Sequence, residues 1–526
     1  MRRFFQRTIA GGLVALLVFV TGCDLTSLND NPNEPTSADP PKLLTNAQMG
    51  VATEYWQDYP GGFWVRYAQY WTTNQYTDAD RYDYPNARPG ALNNLFEDYY
   101  LALNDLQEIK RINRENPGLA SADGPNANQI AIASIMQAWT LSLMTDMWGP
   151  IPVSEALQGQ ESGNFSPAYT SGADVYRYMV DSLLTPASQN IQVDAPTLAS
   201  GDRVYGGDMS KWKKLANSLK LRIALRASGN GSGFPAGIQK SKVEGWMTEA
   251  LQAGVFESNA DNALLEHGSS APYQNDFFVN RVVNGRRDWA APQSILSEMN
   301  ERQDPRRSAF FTDANPDQSG NQFNGLPYGL EQGEAQTLFT SGNFSIPSDR
   351  VASTATAPCI IMLHDEVEFI KAEIALRSDL SVTTDQTPQD HFQDAIRASL
   401  EYWDVSDQST QDAFINRVPA LTPNNFRQVL GTQKWIAQYL QGVQGWSTWR
   451  RLDFTGVLTV PDGDPGSATF GREIAVRMEY PTDEFTLNEE NVTAAISNQL
   501  GGSGADEDTQ GVLLWWDTEY VPPQGE

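Results

Sequence analysis

The chain has 526 residues and a formal net charge of −28, from 65 acidic against 37 basic residues, with two cysteines. So acidic a surface repels nucleic acid and anionic lipid, which excludes a nucleic-acid partner. Two cysteines cannot build a disulfide framework, and a chain of this length can bury a large core without one.

Arg2, Arg3 and Arg7 precede an apolar stretch from Ile9 to Val20. A bilayer span needs about 20 apolar residues, so this shorter stretch reads as the hydrophobic region of a signal peptide. The usual small-residue cleavage site does not follow. The chain reads Val20-Thr21-Gly22-Cys23 instead. That resembles the bacterial lipobox, with valine where leucine is commoner, and it implies that Cys23 is lipidated and heads the mature chain. Two or more acyl chains hold a protein stably at a bilayer. The expected organisation is a lipoprotein signal peptide over 1–22, a lipidated tether over 23–42 and one domain over 43–526. The tether is rich in Pro, Asn, Asp, Ser and Thr and has almost nothing to bury. Cys359 is then left without a disulfide partner.

Residues 55–84 are dense in aromatics, against 10% for the whole chain. Phe63, Tyr67, Tyr70 and Trp71 keep helical spacing and are expected in the core. The period ends at "NQYTDADRYDYPN", where Asn74, Tyr76, Arg81 and Tyr82 stand in polar loop sequence. Rings suit the flat faces of sugars and polar side chains suit their hydroxyls, so these four are candidate ligand contacts. Helical stripes follow. One comprises Leu92, Leu95, Phe96, Tyr99, Leu103 and Leu106. The next runs from Ile132 to Met147 and stops at Gly149-Pro150, and a third from Trp212 to Ile223. "NGRRDWAAP" then offers Arg287, Asp288 and Trp289 in a loop before a helix, a second candidate contact set. Two further stripes run from Leu363 to Ile374, after a turn at Pro358, and from about Phe426 to Tyr439. Long polar loops, above all 155–172, 189–210, 228–238, 312–357 and 455–490, separate them. Strand signals are short and scattered. Trp139, Trp212, Trp435 and Trp449 are expected in the core. Arg222, Arg226, Arg450 and Arg451 are expected to pair with carboxylates or helix ends, and Glu366 and Glu373 to bridge helices.

Catalytic signatures are missing. His267, His364 and His391 lie far apart without HExxH or CxxC company, so no zinc site is expected. There is no G-x-S-x-G elbow and no Walker A motif. Asp313, Asn315 and Asp317 are spaced like the start of a calcium loop, but glycine at its sixth position and glutamate at its twelfth are lacking. Calcium there is the one open alternative to the expectation of no cofactor and no metal. With 65 acidic residues, an imagined glycosidase carboxylate pair has no specificity.

Several stretches, taken in order, resemble the SusD/RagB family of outer-membrane nutrient-binding lipoproteins: "LNDNPNEPTSADPPKLLTNAQ" after the lipobox, "DMWGPIPVSEAL", "DRVYGGDMSKWKKLANSLKLRIALR", "HDEVEFIKAEIAL", "TQKWIAQYL", "STWRRLDF" and "VLLWWD". The resemblance implies a mostly α, SusD-like fold of tetratricopeptide-like helix pairs with large loop-rich insertions. It implies a lipid-anchored protein at the cell surface of the outer membrane. Such a protein binds oligosaccharides or peptides and delivers them to a TonB-dependent, SusC-like transporter as its lid, without being an enzyme. In the family, the neighbourhood of Tyr76 contributes to the ligand site. The alternative is a lipid-anchored hydrolase acting on surface polysaccharide.

Overall fold

The computed structural model describes residues 39–56, 63–316, 322–461, 472–500 and 508–523. The expected signal peptide, Cys23 and most of the tether lie outside them. The chain divides into a unit Met1–Asp39 and a unit Pro40–Glu526, and the description below concerns the second.

Helix α1, Pro40–Trp56, begins inside the expected tether. Proline fits a first helical turn, where its missing N–H leaves no bond unmade. Pro40 and Pro41 are buried, and Thr45 Oγ1 donates to the Gly201 carbonyl at 2.9 Å. Residues 40–42 are therefore part of the folded body, which corrects the boundary drawn from composition. Prolines that read as linker here open a helix.

Helix α2, Pro89–Glu115, buries the stripe from Leu92 to Leu106. Helix α3, Asn126–Trp148, is buried on nearly every face. An all-round apolar helix belongs at the centre of a large domain. It stops where Gly149 takes a left-handed φ of 91° ahead of Pro150. Helix α4 starts as Gly172–Arg177, loosens into a π-helical stretch, Tyr178–Leu184, and ends as Thr185–Asn190. Helix α5, Met209–Ala227, starts at Asp208, whose carboxylate accepts from Ser210 N and Lys211 N. Then come α6, Lys240–Ala253, α7, His364–Leu376, and α8, Pro388–Tyr402, followed by α9, Phe426–Ala437, and α10, Gly442–Leu452. Neighbours along the chain pack together: α1 on α2, α2 on α3, α3 on α4, α5 on α6, α7 on α8 and α9 on α10. This is the mostly α arrangement of helix pairs that the resemblance implies.

Strands are short. β1 (Thr72–Thr73) pairs with β5 (Trp289–Ala290), β2 (Ile151–Pro152) with β3 (Tyr169–Thr170), and β4 (Ala263–Leu265) with β6 (Cys359–Met362), each pair antiparallel. The wholly buried β6 occupies the place between Pro358 and α7 where the sequence shows only a turn.

The core is tied by buried ion pairs. Arg222 of α5 reaches both Glu366 oxygens of α7, at 2.8 and 2.6 Å. Arg451 of α10 reaches both Glu373 oxygens at 2.6 Å. Arg226 holds Asp146 of α3, which also accepts from Tyr176 and Trp516. Arg450 donates to the carbonyls of Val476 and Asp146. Trp139, Trp212, Trp435 and Trp449 are all buried. These charges and indoles of the helices are thus structural.

Candidate functional site

The short helix Phe63–Tyr67 ends the helical run, and the chain turns into β1. Asp80 fixes this turn from inside. Its Oδ2 accepts from Thr72 Oγ1 and Thr73 N, both at 2.8 Å. Burial pushes its carboxyl up to about 6, although Arg66 and these hydrogen bonds pull the other way. Tyr76 and Tyr82 take left-handed φ values of 57° and 58°. Non-glycine residues rarely adopt that conformation, and it gathers at sites where the surroundings hold the strain.

Through the β1–β5 ladder, Thr72 faces Ala290 and Thr73 faces Trp289. Asn74 N donates to Asp288 O at 2.8 Å, and Asn74 Nδ2 donates to Arg287 O at 2.9 Å. The two segments singled out in the sequence therefore lie side by side. Tyr76 is half-buried at their junction. The guanidiniums of Arg88 and Arg286 stand 5.1 and 5.3 Å from its ring centroid, within cation–π range. Its amide donates to Gln332 Oε1 at 3.0 Å and its carbonyl accepts from Arg66 Nη1 at 3.1 Å. Arg81 pairs with Glu331, Arg88 with Asp78, and Arg286 with Asp288. The site thus has a third wall, residues 331–332, which sequence reasoning left inside an anonymous loop.

The seven candidate contacts separate into two groups. Tyr76, Arg81 and Arg287 reach the surface, and Arg287 is the most open of the three. Asn74 and Asp288 are buried and engaged as described. Tyr82 and Trp289, expected as surface platforms, are core residues, which corrects the sequence reading. Tyr82 is fully buried, edge-on to Tyr67 at 4.9 Å. Trp289 is 4% exposed and lies 6.1 Å from Trp71. Beside Tyr82, Arg81 and Asp83 are half-exposed, whereas Asp288 beside Trp289 is buried with the ring. Arg88, Arg286, Glu331 and Gln332 were missed. Arg286 stood inside the quoted "NGRRDWAAP", but nothing in the string favours it over Arg287.

Chemically the site offers an aromatic ring, several guanidinium N–H groups and an amide. The carboxylates beside it, Asp78, Asp288 and Glu331, are each spent on an arginine. Among the described residues no cluster of His, Cys, Asp and Glu is arranged to hold a metal ion. In the calcium-like loop, Asp313 Oδ1 accepts from Asn315 N and Gln322 N at 2.8 and 3.1 Å. Residues 317–321, with Asp317, lie outside the described set. No described helix is long and apolar enough to cross a membrane.

A family model, SusD-like, described as starch-binding and associating with the outer membrane, matches residues 32–481. The chain belongs to this SusD-like family. Among solved structures, a chitin-binding protein is 23% identical, with 91% of this chain and 100% of that chain covered and a TM-score of 0.74. A SusD homologue from Bacteroides uniformis is 23% identical over 91% and 99% of the two chains, with a TM-score of 0.72. A chitin-binding SusD homologue from Flavobacterium johnsoniae is 22% identical over 92% and 98%, with a TM-score of 0.70. At these identities the likeness establishes the shared fold. No curated protein matches the chain.

Proposed function

We propose that this chain is a lipid-anchored protein of the outer-membrane surface, tied through Cys23, that binds oligosaccharides or peptides. It hands them to a SusC-like, TonB-dependent transporter, over which it acts as the lid. The observation that carries the binding role is Tyr76, half-buried at the junction of two loop segments, with the guanidiniums of Arg88 and Arg286 at 5.1 and 5.3 Å from its ring centroid. A ring and fixed hydrogen-bond donors converging on one surface are what saccharide recognition requires. The family description and the two chitin-binding relatives favour a saccharide among the ligand classes. A hydrolytic role has less support: Asp78, Asp288 and Glu331 are each paired with an arginine, Asp80 is fully buried, and general acid–base work needs a carboxyl within reach of the ligand. Binding of this kind needs no cofactor.

The test is a glycan and peptide array, followed by calorimetric titration of the best ligand against the wild type and Tyr76→Ala. Overnight incubation of that ligand with the protein, read by mass spectrometry, should return it uncut. Protein-dependent cleavage products that vanish on changing one carboxylate would move the chain to the hydrolase class.

A further inference from the structure

A second cleft lies elsewhere on the molecule and shares no residue with the Tyr76 site. It encloses about 420 Å³ between the first turns of α2, the segment 152–167 and the segment 481–488. Phe96, Tyr100 and Pro152 form its apolar floor. Tyr100 is fixed there by its hydroxyl, which donates to the Pro152 carbonyl at 2.7 Å, and by Phe96 at 5.1 Å. Two large apolar side chains stand at the mouth in solvent, Phe165 at 81% exposure and Leu487 at 69%. Among the described residues these are the two most exposed of the large hydrophobics. Such residues beside a preformed apolar cavity mark an interaction site.

The charge of the cleft is one-sided. Glu97, Glu155, Asp483 and Glu484 line it, and no described Lys, Arg or His does. Two of the four are engaged within the protein. Glu155 Oε2 accepts from Asn164 Nδ2 and Ala168 N, both at 3.1 Å. Glu484 Oε2 accepts from the Tyr169 hydroxyl at 2.6 Å, and burial raises its carboxyl above the ordinary range. Glu97 and Asp483 are exposed in the lining, and neither carboxylate is paired with a cation among the described residues. An apolar floor under unneutralised carboxylates is complementary to a bulky apolar group flanked by positive charge, and it disfavours both a neutral sugar and an anionic lipid surface. The extent of the feature distinguishes a short ligand from a protein face. A stable protein contact takes about 800 Å² from each partner, whereas the exposed apolar surface here comes from two side chains around a cavity that admits a few residues.

We infer that this cleft is a binding site for a short cationic peptide, whose bulky apolar side chain enters between Phe165 and Leu487 while flanking Lys or Arg residues meet Glu97 and Asp483. This goes beyond the saccharide site and does not depend on it.

The experiment is calorimetric titration of the purified protein with a blocked lysine–leucine–lysine peptide, beside glutamate–leucine–glutamate and lysine–glycine–lysine controls. Only the first should bind, and more weakly as salt is added. Glu97→Gln and Asp483→Asn should each weaken it by roughly three- to tenfold. Phe165→Ser and Leu487→Ser should remove measurable binding. All four side chains are exposed, so folding should survive, and unchanged thermal melts verify that. Tyr76→Ala should leave binding of the lysine–leucine–lysine peptide unchanged while it weakens saccharide binding, so failure of the saccharide reading and failure of this one are separable. Equal binding of the acidic or the glycine peptide, no binding at all, or indifference to all four variants would overturn the inference. So would loss of starch or chitin oligomer binding in Phe165→Ser.

Discussion

At Tyr76 a single side chain carries the proposed contact while bearing little of the fold. Its ring is half-buried and its neighbours are arginines, so Tyr76→Ala should weaken saccharide binding by on the order of 1–3 kcal/mol, the cost of losing a packed aromatic contact, with little change in the melting temperature. Tyr82→Ala and Trp289→Ala should do the reverse. Each ring fills a closed aromatic cluster, so each truncation should cost about 3–5 kcal/mol of stability. Side-by-side titrations and thermal melts of the three variants check this. The residue-level reading of the sequence named core residues correctly at Tyr67, Tyr70 and Trp71, all buried, although the helix it assumed ends at Tyr67 and burial from Trp64 to Asn74 is unbroken. It failed at Tyr82 and Trp289 because a loop has no period: the direction of a ring there depends on which segment crosses behind it. Here that is the Tyr67 and Trp71 surface, invisible to local pattern.

Among the elements, α7 is the keystone, gripped by α5 through Arg222–Glu366 and by α10 through Arg451–Glu373. Arg222→Met leaves Glu366 charged and unpaired, and should destabilise by about 3–5 kcal/mol. Adding Glu366→Leu should recover most of that, because two apolar groups need no solvation. Urea unfolding of the single and double variants measures both. Helix α10 shows why some elements were not legible. "GVQGWSTWRRL" holds two glycines, which weaken a helix reading. They are there for proximity. A Cβ on Gly445 would come within 1.9 Å of Tyr70 Oη, and one on Gly442 within 2.3 Å of the Trp64 backbone. Gly445→Ala should therefore push Tyr70 off the Trp435 carbonyl, which it reaches at 2.6 Å, and cost about 1–3 kcal/mol by overpacking. Helix α4 escaped for another reason, since its π-helical stretch breaks the 3.6-residue period on which the reading rests. The long stripes of α2, α3 and α5 were plain because each keeps one register over several turns.

For the whole molecule, buried carboxyls set the response to pH. Burial, helped by Asp98, raises Glu54 to about 8. Burial raises Asp365, Asp453 and Glu479 to about 7. Such groups keep their protons in the folded state at a pH where the unfolded chain has lost them. Their contribution is complete below the unfolded value of about 4 and disappears as pH rises through 7 to 8. Glu366 and Glu373 act oppositely. Burial disfavours their charge, but Arg222 and Arg451 outweigh it and hold both below the ordinary range. Their contribution exists above the unfolded value and is lost as pH falls through the folded one. The melting temperature should therefore climb as pH drops from about 8 to about 5 and fall in stronger acid. Scanning calorimetry across that range checks it, and a flat profile between 8 and 5 would contradict it. The relief of self-repulsion in a chain of charge −28 acts in the same direction. The class of fold was legible at this scale because helical stripes recur along the chain and motifs follow the family's order. The site was legible only as two separate fragments.

Asn74 and Arg287, which meet in the β1–β5 clasp, are 213 residues apart in the chain. Loop closure over such a distance is slow to gain its contacts. The proposed recognition surface therefore cannot form on any amino-terminal fragment ending before Trp289. Competence to bind is a certificate that the polypeptide has been completed and folded, so a ligand added during refolding should leave early collapse untouched and trap only the last species to form.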